Sequence, residues 1–225
     1  KIDINPLALE NPSLVDSILK LYASAQYELR DGQNFDQLAQ DLYQNIITNY
    51  GKNTAWYEAN KNNSNISGQL AVIKNAYEKR AIRLQNEFLN DPVNETKLLA
   101  YNRHIDEFAA FPELHGENYT VWKAQADKTR LLLCNTLAER SNLPKHYLTA
   151  IRNLQEFNAK YPQDVDFFQN EGLIYTYSFN IYNLMKDLYG EGFQPESGLP
   201  ANADELYALL QSNSQRFINV LRSDA

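Results

Sequence analysis

The chain has 225 residues, a net charge of −7 and 44% hydrophobic residues, enough to bury a substantial core. Its acidic balance, with no run of lysine and arginine, excludes recognition of a nucleic-acid phosphate backbone. Eight glycines and eight prolines are few for this length and argue against an all-β fold with its many tight turns.

In chain order, Asn11-Pro12 predicts the start of a first helix, a capping residue followed by proline at the first helical position. Leu14, Ile18, Leu21, Tyr22, Ala25 and Leu29 carry its apolar face, and Asp31-Gly32 stops it. Asn34 caps a second helix with Phe35, Leu38, Leu42, Ile46 and Tyr50 inward, closed by Gly51. Asn60 to Asn65 reads as a polar loop. A third helix then runs from about Ser67 to Asn90, and Asp91-Pro92 ends it. Asn94 caps a fourth helix that carries Leu98, Tyr101, Ile105, Phe108 and Ala109 and ends at Pro112.

The fifth helix spans about Tyr119 to Ser141, with Trp122, Ala126, Thr129, Leu133 and Leu137 inward. Its charged middle, Asp127, Lys128 and Arg130, reads as a solvated face. Cys134 follows three leucines, which predicts a buried, inert thiol. Pro144 starts the sixth helix, with Tyr147, Ile151, Leu154, Phe157 and Tyr161 inward and Pro162 beyond its end.

The seventh helix, from Asp164 to Gly190, holds seven of the 25 phenylalanines and tyrosines of the chain. Phe168, Tyr175, Tyr182 and Tyr189 recur at a seven-residue step, and Phe167, Ile174, Ile181 and Leu188 repeat it one position earlier. Such a helix calls for neighbours on most sides. The segment from Gly190 to Pro200 reads as a linker, and a last helix runs from about Asn202 to Arg222. The expected fold is therefore all-α: eight antiparallel helices, paired as hairpins around a central aromatic-rich helix, as an irregular bundle or a short α-solenoid. A single domain over 1–225 is expected, with a possible subdivision into 1–92 and 93–225.

Leu137 and Ala138 form a large-then-small pair, followed by Ala150, Leu154 and Pro162; Gly172 and Tyr175 then follow at small and aromatic positions. Over residues 131–175 this pattern resembles the tetratricopeptide-type repeat, a helix–turn–helix unit of about 34 residues. Phe157, Ser141 and Leu184 depart from that pattern. The resemblance implies a concave surface that binds proteins or peptides rather than a catalytic site.

Catalytic patterns are missing: there is no glycine-rich phosphate loop, no G-x-S-x-G elbow and no HExxH. His104 and Glu107 share a helix face at i, i+3, and with His115 and Glu117 they are the best candidate metal or small-molecule site. Glu171 stands on the aromatic helix, where a buried carboxylate would be raised in pKa unless paired. With Tyr175, Tyr177 and Tyr182 it makes the candidate partner-binding set.

The expected function is a non-enzymatic binding or scaffold protein that mediates protein–protein interaction, with no cofactor. The alternative is a helical bundle that binds a small molecule or metal. The longest stretch without formal charge, Gly172 to Met185, is too short to span a bilayer. A chain that begins at Lys1 fits a trimmed protein, cytoplasmic or otherwise, and equally a mature exported or lipid-anchored one.

Overall fold

The computed structural model describes residues 64–110, 112–190 and 192–223. These contain six α-helices and no strand: α1 (Ser64–Leu89), α2 (Glu95–Ala109), α3 (Tyr119–Ser141), α4 (Pro144–Lys160), α5 (Phe167–Met185) and α6 (Ala203–Ser223). Two short 3₁₀ turns, Pro112–Leu114 and Gly116–Asn118, join α2 to α3. The expected third to eighth helices correspond to these six, whereas the first two lie outside the described residues.

Local chemistry sets most of the ends. Asn94 accepts the Lys97 backbone N–H at the start of α2, as an N-cap asparagine should. Asn202 accepts the Glu205 N–H at 2.9 Å while the Glu205 carboxylate accepts the Ala201 N–H at 2.8 Å. That reciprocal arrangement is a capping box and fixes the start of α6. Pro144 begins α4, where its missing N–H costs nothing. The two-residue turn between α3 and α4 needs a left-handed residue, and Asn142 supplies it with φ 52°. Its N–H returns to the Ala138 carbonyl at 3.0 Å.

Two ends differ from expectation. The first helix described starts at Ser64, so Ser64 and Asn65 are helical rather than part of a polar loop. The aromatic helix α5 ends at Met185, before Gly190. Tyr189 is drawn out of the helix because its hydroxyl donates to the Pro200 carbonyl at 2.7 Å and its ring packs edge-on against Phe193.

The described residues divide into two compact units, 64–83 with 103–122, and 84–102 with 123–223. In the first, Tyr77, His104, Phe108, His115, Tyr119 and Trp122 form an aromatic cluster, with the His115 and Trp122 rings stacked at 3.8 Å. In the second, α5 packs extensively against both α4 and α6. Both pairs are antiparallel: Asn158 late in α4 meets Asn170 early in α5, and Glu171 early in α5 meets Arg216 late in α6. Leu154, Ile174 and Ile181 are fully buried at this centre, with Tyr177, Met185 and Leu206 beside them. Among the described residues, no helix is long and apolar enough to cross a membrane.

The two expected stripes of α5 part company. Ile174 and Ile181 are completely buried, but Phe168 is 42% exposed and Tyr175 36%. The inner face also takes in Asn170, Glu171, Tyr177 and Ser178. The helix is thus covered on two sides, not enclosed. The charged middle of α3 is a second correction, because it is not a solvated face. Asp127 binds Lys123, the Lys160 ammonium at 2.6 Å and the Tyr161 hydroxyl at 2.8 Å. Lys128 pairs with Asp164 at 3.1 Å and Asp166 at 2.7 Å, and Arg130 donates to the Asn102 carbonyl.

Candidate functional site

Two features of unlike character lie in the second unit, a polar thread between helices and an open apolar edge. The thread joins α4, α5 and α6. Arg216 on α6 grips the Glu171 carboxylate through Nε at 2.6 Å and Nη2 at 2.5 Å. Asn158 on α4 donates to the same carboxylate at 2.7 Å and accepts from Asn170 at 2.9 Å. Farther along, Asn213 on α6 donates to the Ser178 hydroxyl at 2.7 Å and accepts from Gln155 at 3.3 Å. Burial raises the Glu171 pKa, but Arg216 and Asn158 outweigh it and hold the carboxyl below its ordinary value. Glu171 is therefore an ionised, paired group and not a raised-pKa acid.

Tyr177 belongs with it in the interior. Its ring packs on Tyr147, and its hydroxyl donates to Glu139 at 2.7 Å. Burial first, then the adjacent Glu139 carboxylate, push the phenol pKa far up. Glu171 and Tyr177 are each 1% exposed.

The open feature is the outer edge between α5 and α6. Tyr175 stacks on Phe217 with ring centroids 6.0 Å apart and planes 13° from parallel, and on Phe179 at 6.5 Å. Phe168 lies one heptad before Tyr175, and Leu221 lies one turn after Phe217. Phe168, Phe179 and Leu221 are 42%, 44% and 51% exposed. Gly172 faces the Phe217 ring, which a Cβ there would meet at 3.7 Å, an ordinary van der Waals contact. Tyr182, the fourth candidate, is half-buried farther along α5. Of the predicted set, the structure thus puts Tyr175 on an exposed aromatic edge with Phe168 and Phe179, stacked on the half-buried Phe217. Sequence reasoning did not single out those three as a site. The heptad from Phe168 to Tyr175 was a signal for the first of them.

The His104 and His115 set lies in the other unit. His104 is buried and shares a hydrogen bond of 2.9 Å between Nε2 and the Tyr77 carbonyl, which makes Nε2 the protonated nitrogen. His115 does the same with the Phe108 carbonyl at 3.3 Å. The Tyr119 hydroxyl donates to the Ala109 carbonyl at 3.1 Å. These two side chains satisfy the last carbonyls of α2, which no intrahelical N–H can reach. Burial pulls the His104 pKa down to about 4 and lowers that of His115, despite the opposing backbone hydrogen bonds. The Glu107 carboxylate stands 4.0 Å from His104 Nδ1, and Glu117 is exposed. Among the described residues, no three histidine, cysteine, aspartate or glutamate side chains converge on a point that could hold a metal ion.

Cys134 is buried, with its thiol pushed up in pKa by burial, and its sulfur accepts a contact from Asn153 Nδ2 at 3.1 Å. Its environment is that of a packed side chain and not of an activated nucleophile.

Comparison with known proteins finds no matching family model, no matching curated protein and no matching solved structure.

Proposed function

We propose that the chain is a non-enzymatic helical binding or scaffold protein that docks another protein surface on the ridge formed by Phe168, Tyr175, Phe179 and Phe217. The observation that carries this reading is the exposure of Phe168, Tyr175 and Phe179 along α5, with Tyr175 stacked on the half-buried Phe217 of α6. Contiguous apolar surface of this kind marks interaction sites, and aromatic residues are enriched at the cores of interfaces.

A tetratricopeptide-type arrangement of the hairpins fits the same reading. Ala138 and Ala150 are fully buried, as small residues must be where two helices approach closely, and Leu137 and Leu154 are buried beside them. A small-molecule or metal role at His104, Glu107, His115 and Glu117 has less support, because both histidines already serve backbone carbonyls through Nε2.

The test is a photo-cross-linking amino acid in place of Phe179, compared with the same probe at Leu132, an exposed apolar position on α3. Specific protein adducts from position 179 and none from 132 are expected. Equal, unspecific labelling from both positions would overturn the reading.

A further inference from the structure

Ser141, one of the residues that depart from the repeat pattern, has a specific partner in the fold. It is the last residue of α3. The left-handed Asn142 turns the chain at once into α4, which brings His146 beside it. Ser141 Oγ stands 2.7 Å from His146 Nδ1. The other ring nitrogen, Nε2, stands 3.4 Å from a carboxylate oxygen of Glu95, the first residue of α2. All three residues belong to the second unit.

A carboxylate accepts hydrogen bonds and does not donate them. Nε2 therefore carries the imidazole proton, and Nδ1 keeps the lone pair to which the Ser141 hydroxyl donates. The Ala138 carbonyl, at 3.4 Å, is a second and longer acceptor for that hydroxyl. His146 is 6% exposed. Ser141 is only half-buried, and Asn142 and Leu143 beside it are exposed, so a molecule from solution can reach the hydroxyl. Ser214 on α6, also half-buried, shows the ordinary alternative: its hydroxyl donates to the Leu210 carbonyl at 2.7 Å. Hydroxyl, imidazole and carboxylate in hydrogen-bonded sequence are the constellation that activates a serine, here with the two ring nitrogens exchanged relative to the familiar triads.

We propose that Ser141 is a covalent acceptor site for the acyl group of an activated ester, with His146 as general base and Glu95 as the group that positions it. In the transfer, a bond forms between Ser141 Oγ and the acyl carbon, and the bond from that carbon to the alkoxy oxygen of the ester breaks. The hydroxyl proton passes to His146 Nδ1 and from there to the departing alcohol. The proposal is independent of the aromatic edge, and a single transfer per chain requires no turnover.

The test treats the full chain with p-nitrophenyl acetate, follows release of nitrophenolate and maps the acetyl group by peptide mass spectrometry. Acetylation of Ser141 is expected, with Ser214 unmodified. The rate should fall about a hundredfold in His146→Gln, the scale of general-base catalysis. It should fall about tenfold in Glu95→Gln, whose amide can present a hydrogen to Nε2 and so reverse the tautomer. Circular dichroism checks that both variants fold, and the comparison of Ser141 with Ser214 needs no variant. No acetyl group at Ser141, equal acetylation of Ser141 and Ser214, or a wild-type rate in folded His146→Gln or Glu95→Gln would each overturn the proposal.

Discussion

Arg216 closes on Glu171 with two nitrogens at 2.6 and 2.5 Å, although the carboxylate is fully buried and the guanidinium side chain is 40% exposed. One partner is committed to the interior while the other keeps contact with water. The bidentate geometry suits arginine's planar fork, and lysine could not reproduce it. The arrangement stabilises only as a whole, because deleting Arg216 would leave the buried Glu171 charge without the cation that pairs with it.

Removing the arginine alone should therefore be severe. Arg216→Ala is expected to cost about 3–5 kcal/mol, the range for a buried charge stripped of its partner. The double variant Glu171→Leu with Arg216→Met should recover most of that loss. Urea unfolding of both variants checks the pair, and equal destabilisation would show that packing and not charge governs this position.

Acid should weaken the unit that holds His104. Its folded pKa of about 4 lies below the ordinary 6.5, so the unfolded chain takes up the proton first. Stability is complete above about 6.5 and falls as pH drops toward about 4, by about 3 kcal/mol from this residue. His115 is shifted the same way and adds to the loss. In His104→Gln, whose side-chain amide can still serve the Tyr77 carbonyl, the slope of unfolding free energy against pH should flatten across that window.

The two sides of α5 should respond differently to truncation. Tyr177→Ala is expected to cost about 3–5 kcal/mol, since a large buried ring is lost. Phe168→Ala, on the exposed edge, should cost less than about 1 kcal/mol. Thermal unfolding of the two variants measures the contrast.

Asp127 offers a test of the polar clasp on α3. Asp127→Asn should destabilise by about 1–3 kcal/mol, the scale of hydrogen bonds to a charged group. Lys123 and Lys160 hold the Asp127 carboxyl below its ordinary pKa against the effect of burial. The wild-type advantage should accordingly shrink with acid as that carboxyl protonates. Denaturant titrations at neutral and acid pH follow it.

The starts of α2, α4 and α6 were readable in the sequence because they depend on residues close in the chain. Pro144, Asn94 and Asn202 each act within one turn. The end of α5 was not, since Tyr189 leaves the helix to reach Pro200 and Phe193, contacts that only the folded loop creates. The two heptad stripes of α5 were equally plain, and their period is the same. Which one α4 and α6 cover depends on tertiary packing that no single helix encodes. Polar side chains hid best: Asn158, Asn170, Ser178 and Asn213 look like solvent-facing residues until their partners are known. Asp127, Lys128 and Arg130 misled for the same reason.

The hydrogen bonds that thread α4, α5 and α6 also set a cost on sliding. Helices joined only by aliphatic side chains can shift along one another by a turn, about 5.4 Å, and meet a similar surface. Here such a shift would part Asn213 from Ser178 and leave the Glu171 charge facing hydrocarbon. The three helices therefore have one favourable axial alignment, and the Tyr175 and Phe217 rings that they carry on the outside are held at a fixed offset. A surface assembled from two helices keeps its shape because its interior cannot slip.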